Sequence, residues 1–169
     1  MAIWEIFGMF RHRRNFRMND VYERNINIRL QPIDKNTVVV STSLLDLHHS
    51  ITTEIKIDLT TQEIVDADAK MVRVPYSGCS NALVNVRKII GLKIERGINK
   101  KIADILGHAA GCTHLVEILQ NAMRFSSSML IGVRAGYGRV DKKRELSEEE
   151  RIANVMPYLK NTCIVFKEG

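Results

Sequence analysis

Aromatic side chains make up only 6% of this 169-residue chain, and it holds just three prolines and three cysteines. With so few aromatics, a packed core must be built from Ile, Leu, Val and Met. The cysteines, Cys79, Cys112 and Cys163, are odd in number and too few for a disulfide-framed secreted module, so reduced thiols in a cytoplasmic protein are expected. No apolar run approaches the roughly 20 residues that span a bilayer. In MAIWEIFGMFRHRRNFR the apolar stretch precedes the basic one, the reverse of a secretory signal, and Glu5 interrupts it. The expectation is a cytoplasmic protein with no membrane span.

A hydrophobic fraction of 45% beside 26% charged residues is that of an ordinary globular protein, and the length fits a single domain over residues 1–169. The net charge of +6 is carried in clusters: Arg11, Arg13, Arg14 and Arg17; Arg87, Lys88, Lys93, Arg96, Lys100 and Lys101; and Arg139, Lys142, Lys143 and Arg144. Nothing aromatic is interleaved to stack bases, so a solvated surface is expected and nucleic acid is disfavoured as a partner. The stretch Arg87 to Lys101 keeps an anion- or nucleic-acid-binding module as one alternative. The physiological partner is unknown from sequence, and a homo-oligomer is left open.

Residues 1–22 form a basic segment in which Ile3, Ile6, Phe7 and Phe10 fall at helical spacing. Residues 23–130 carry the core. Ile26, Ile28 and Leu30, then Val38 to Val40, then Ile51, Ile55, Ile57 and Leu59, then Ile64 to Val74, alternate or run as strands separated by the turns PIDKN and LTTQ. After Pro75 the period becomes helical. One helix is capped by Ser80 or Asn81 and stops at Gly91, a second runs from Ile98 to Gly107, and a third from Thr113 to about Leu130. Residues 131–169 read as a loop from Gly132 to Arg144, a short helix opened by the Ser147/Glu150 capping box and ended by Pro157, and a terminal strand NTCIVF. The fold class is α+β: an antiparallel meander of three to four strands packed on three or more helices.

Two cysteines stand in similar places. Cys79 in PYSGCSNA and Cys112 in AAGCTHLVE each follow a glycine and immediately precede a helix, where unpaired N–H groups favour a thiolate. His114 lies in the first turn after Cys112, Glu117 can orient its imidazole, and His49 precedes a strand. His49, Cys79, Cys112 and His114 therefore make a two-thiolate, two-imidazole set suited to zinc or iron, with Cys163 and His48 as further candidates. The alternative is a thiol enzyme or sulfur carrier with Cys112 as nucleophile and His114 beside it. Each residue also has a plain structural explanation, a buried thiol or a histidine bonded to a carbonyl. His12 and His108 are expected at the surface.

The run from DADAKMVRVPYSGC through GLKI to GCTHLVEIL resembles a bacterial family known only as domain of unknown function 2889. The matching residues are Pro75, Cys79, Gly91, Leu92, Gly111, Cys112, Thr113, His114, Leu115 and Glu117, with His49 at the family's strand-start histidine and Leu159 and Cys163 at a late Leu–Cys pair. Ser50 stands where the family usually has Asp. More distantly, the order of elements is similar to the U-type scaffold of iron–sulfur cluster assembly and its sulfur-acceptor relatives. That likeness implies a metal or sulfur site at one end of the sheet, with Cys79 and Cys112 at two of the scaffold's three cysteines. The scaffold's first thiol and its Leu-Pro-Pro-Val-Lys segment have no counterpart here.

Overall fold

The computed structural model describes residues 22–135 and 146–167. Four strands, β1 (Arg24–Pro32), β2 (Thr37–Asp46), β3 (Ser50–Asp58) and β4 (Ile64–Arg73), form one antiparallel sheet in chain order. A run of 3-10 turns over Ser77–Ile89 follows, then α1 (Ile98–Leu106), α2 (Thr113–Arg134), α3 (Glu148–Leu159) and a final 3-10 turn at Ile164–Phe166.

Alternation sets the sheet. Val38, Val40, Thr42 and Leu44 of β2 and Ile51, Thr53, Ile55 and Ile57 of β3 are buried on one face, while the residues between them turn to the other. In β4 an irregular register near Val65 breaks the two-residue period, so Ile64 and Ala67, three apart, are both buried. Each hairpin is closed by an aspartate whose Oδ1 accepts two backbone N–H groups just downstream. Asp34 takes Asn36 and Thr37, Asp46 takes His48 and His49, and Asp58 takes Thr60 and Thr61. The middle of these three turns belongs to the candidate site.

The helices cover the apolar face. Helix α2 buries Leu115, Ile118, Leu119, Ala122, Met123, Ser126 and Leu130, spaced three or four apart apart from adjacent pairs, and packs on β2 and β1. Helix α1 buries Ile98, Ile102 and Leu106 against α2, and the 3-10 run sets Ala82, Val86 and Ile89 against the core beside β4.

Several boundaries differ from expectation. The first helical segment starts at Ser77, is 3-10 in type and contains Cys79 rather than following it. Helix α2 runs past Leu130 to Arg134 and absorbs Gly132, placed in a loop from sequence, because Leu130 still finds a buried position there. The capping box of α3 is present on both sides, but the helix continues through Pro157 to Leu159. A proline in the last turn removes one N–H donor without cutting the turns before it. The segment expected as a terminal strand instead closes on itself: Phe166 N–H donates to the Cys163 carbonyl and Asn161 N–H to that of Phe166. The amphipathic segment at residues 3–10 and most of the loop at 132–144 lie outside the described residues. Among those described, no helix is long and apolar enough to cross a membrane.

Candidate functional site

The turn from α1 into α2 is shaped by glycine. Gly111 N–H donates to His108, and Cys112 N–H reaches back to the Leu106 carbonyl at 2.8 Å. A Cβ on Gly111 would collide with the carbonyls of Leu106 and Gly107, so only glycine lets the chain pass this close to the end of α1. Asn85, buried in the 3-10 run, donates to the Ala110 carbonyl at 2.8 Å and ties that run to the same turn. The turn delivers Cys112 to the N-cap position of α2 and His114 to its first turn, with Cys112 Sγ 3.9 Å from His114 Nδ1.

The His114 ring meets His49 across the gap between helix and sheet, ring centroids 3.8 Å apart and tilted by 38°. His49 is 7% exposed and held from behind: its Nδ1 lies 2.9 Å from Asp46 Oδ1. With Nδ1–H donating to that carboxylate, Nε2 is the ring atom left to accept a proton or a metal. Arg24 at the start of β1 clamps the other Asp46 oxygen through Nε and Nη2 at 2.9 and 2.7 Å, and spends Nη1 on Glu117 Oε2 at 2.7 Å. Arg73 donates to the Asp46 carbonyl. The result is a chain of contacts, Glu117–Arg24–Asp46–His49–His114–Cys112, joining two strands to one helix.

Two shifts follow. Burial alone would push the Asp46 carboxyl up, but hydrogen bonds from the His48 N–H, from His49 and from Arg24 overcome it and hold the carboxylate well below its usual range. His114 is lowered from the ordinary imidazole value, first by burial and then by the positive potentials of His49 and Arg24, with Asp46 and Glu117 opposing. The shift favours the neutral form of the His114 imidazole.

Of the four proposed ligands, His114 lies against both His49 and Cys112. Among the described residues no hydrogen bond or ion pair ties the Cys79 thiol to them, and no three His, Cys, Asp or Glu side chains are grouped as a metal site. His48 is exposed, its ring edge-on to His49 at 6.4 Å. Cys163 is exposed beside the last 3-10 turn. Glu117 directs its carboxylate to Arg24. His108 is exposed in a left-handed conformation, φ 61°, and His12 lies outside the described residues. A hollow of about 220 Å³ opens beside His49, between Arg24, Asp46, Leu47 and Tyr22.

Arg24, Asp46 and Asn85 are the residues that inspection of the sequence passes over. Asp46 carries a local signal, an aspartate three residues before His49 in a hairpin turn. Arg24 carries none, because it reaches Asp46 only through the β1–β2 register, in which the two residues are directly opposed.

No curated protein and no solved structure matches the chain, so the likeness to iron–sulfur scaffolds gains no support from them. The family described as a protein of unknown function, DUF2889, matches residues 12–126, which include His49, Cys79, Cys112, His114 and Glu117. The chain belongs to the DUF2889 family.

Proposed function

We propose that the protein acts through Cys112 as a thiol enzyme or sulfur carrier, with His114 as its base. The observation that carries this is the placement of the Cys112 sulfur 3.9 Å from Nδ1 of His114, whose neutral form is favoured by burial. With Nδ1 unprotonated, His114 takes the thiol proton. The thiolate then attacks an electrophilic carbon, or the outer sulfur of a persulfide, and the donor's leaving group departs with the bonding pair and collects the proton from His114. His49, fixed by Asp46, stacks on the base and holds its ring in place.

A metal-binding reading is favoured by a separate observation. The Asp46–His49 contact is the carboxylate–histidine arrangement that presents Nε2 to a zinc or iron ion. Cys112 and His114 supply two further donors of suitable type, and Cys79 is the fourth candidate of the set.

One experiment separates the two. With Cys79→Ser and Cys163→Ser in place, iodoacetamide alkylation of Cys112 at pH 7 is expected to be fast and to slow about tenfold or more in His114→Ala. An unchanged rate overturns the thiol reading. Elemental analysis of untagged wild type from metal-replete medium gives the other arm: stoichiometric zinc or iron that blocks alkylation and is lost in Cys112→Ala establishes the metal reading instead.

A further inference from the structure

A groove of about 870 Å³ lies between the segment leading into α1, the second half of α2 and the end of α3. It is remote from the thiol. Arg124, on its wall, is twelve residues along α2 from Cys112, about 18 Å of helix. The α2 wall is a single stripe, Arg124, Ser127, Ser128, Ile131 and Arg134; Arg96 enters from before α1, and Tyr158 from α3.

Its charge is unanswered. Several long cations elsewhere are paired: Arg24 with Asp46 and Glu117, Lys56 and Arg87 with Asp66, Lys100 with Asp104. Among the described residues no carboxylate lies within ion-pair distance of Arg96, Arg124 or Arg134. Among the described residues the one carboxylate on the groove wall, Glu95, is engaged by Lys101 at 3.1 Å. The Arg134 guanidinium lies 5.8 Å over the Tyr158 ring, which steadies it without neutralising it. Asn99, also on the wall, has its Oδ1 buried with no donor among the described residues. Three arginines lining one concave site call for an anion with several acceptor oxygens.

We propose that this groove binds a small molecule with two or more phosphate charges, held by Arg96, Arg124 and Arg134. Guanidinium forks match phosphate oxygens in pairs, and the volume is that of a metabolite site. Nucleic acid fits less well. A strand needs a continued basic track with free aromatic faces, and the Tyr158 face is covered by Arg134. Of the basic stretch from Arg87 to Lys101, only Arg96 among its arginines and lysines lines the groove.

The test is calorimetric titration of the full chain with inorganic pyrophosphate at low salt. One pyrophosphate per chain is expected, weakened about tenfold or more by Arg124→Ala and by Arg134→Ala and unaffected by Arg87→Ala on another surface. All three side chains are exposed, so circular dichroism should show an intact fold in each variant. Absence of binding, or binding indifferent to Arg124→Ala and Arg134→Ala, overturns the proposal. So does displacement of pyrophosphate by a single-stranded oligonucleotide whose affinity rises with its length, which would make the groove part of a nucleic-acid surface.

Discussion

At the scale of single residues, Asp46 does two jobs with one carboxylate. Oδ1 closes the β2–β3 hairpin by accepting the His48 and His49 N–H groups and also receives the His49 ring, while Oδ2 is taken by Arg24. The sheet turn and the candidate site are therefore one hydrogen-bonded unit, and pH acts on both. His114 has its folded-state pKa below the unfolded value near 6.5. The unfolded chain thus binds more protons as pH drops below that value, and this contribution to stability is complete above about 6.5 and lost on acidification. Asp46 is depressed too, so its contribution is complete above the usual carboxylate value and lost only at lower pH. Urea midpoints are expected to fall from pH 7 to pH 5 in wild type and to fall less in His114→Gln. Equal slopes in the two proteins would show that the imidazole does not take part.

At the scale of elements, α3 is the most loosely joined helix. It buries only Val155, and its start depends on the reciprocal capping of Ser147 and Glu150. Ser147→Ala is expected to cost about 1 kcal/mol in that helix. Because α3 shares so little with the core, the loss should appear in hydrogen exchange as faster opening of its first turns, with the amides of α2 unchanged. Faster exchange throughout α2 and α3 together would mean that the helix is part of the core's cooperative unit. The same contrast explains which elements were legible. Helices α1 and α2 and strands β2 and β3 carry apolar residues at a steady period and are legible in the sequence. The 3-10 run shares the helical spacing, with Ala82, Val86 and Ile89 buried, but its 3-10 type and the shape of the terminal segment rest on hydrogen bonds such as Cys79 N–H to the Tyr76 carbonyl and Phe166 N–H to that of Cys163.

At the scale of the whole molecule, the core is aliphatic with three hydroxyl residues buried in it among those described, Thr42, Thr53 and Ser126, and the Ser126 hydroxyl donates to the Ala122 carbonyl. Thr42 and Thr53 face each other across β2 and β3, 2% and 3% exposed, and neither Oγ1 has a partner among the described residues. A buried hydroxyl without a hydrogen bond is destabilising, and valine has nearly the same shape and suits a strand. Thr42→Val is expected to raise stability by about 1 kcal/mol in urea unfolding, and a loss of that size would show that the hydroxyl is satisfied. By itself the sequence determined the α+β class, the meander order, the helical period of α1 and α2, and the pairing of Cys112 with His114 in one turn, because all of these depend on neighbours within a few positions. Only the tertiary structure decided that His49 stacks on His114, that Arg24 and Asp46 stand behind it, that Cys79 has no recorded tie to the cluster, and that three arginines share one groove. Those contacts join residues 22 to 65 positions apart or lie across separate elements, where strand register and helix packing, not local pattern, set the distances.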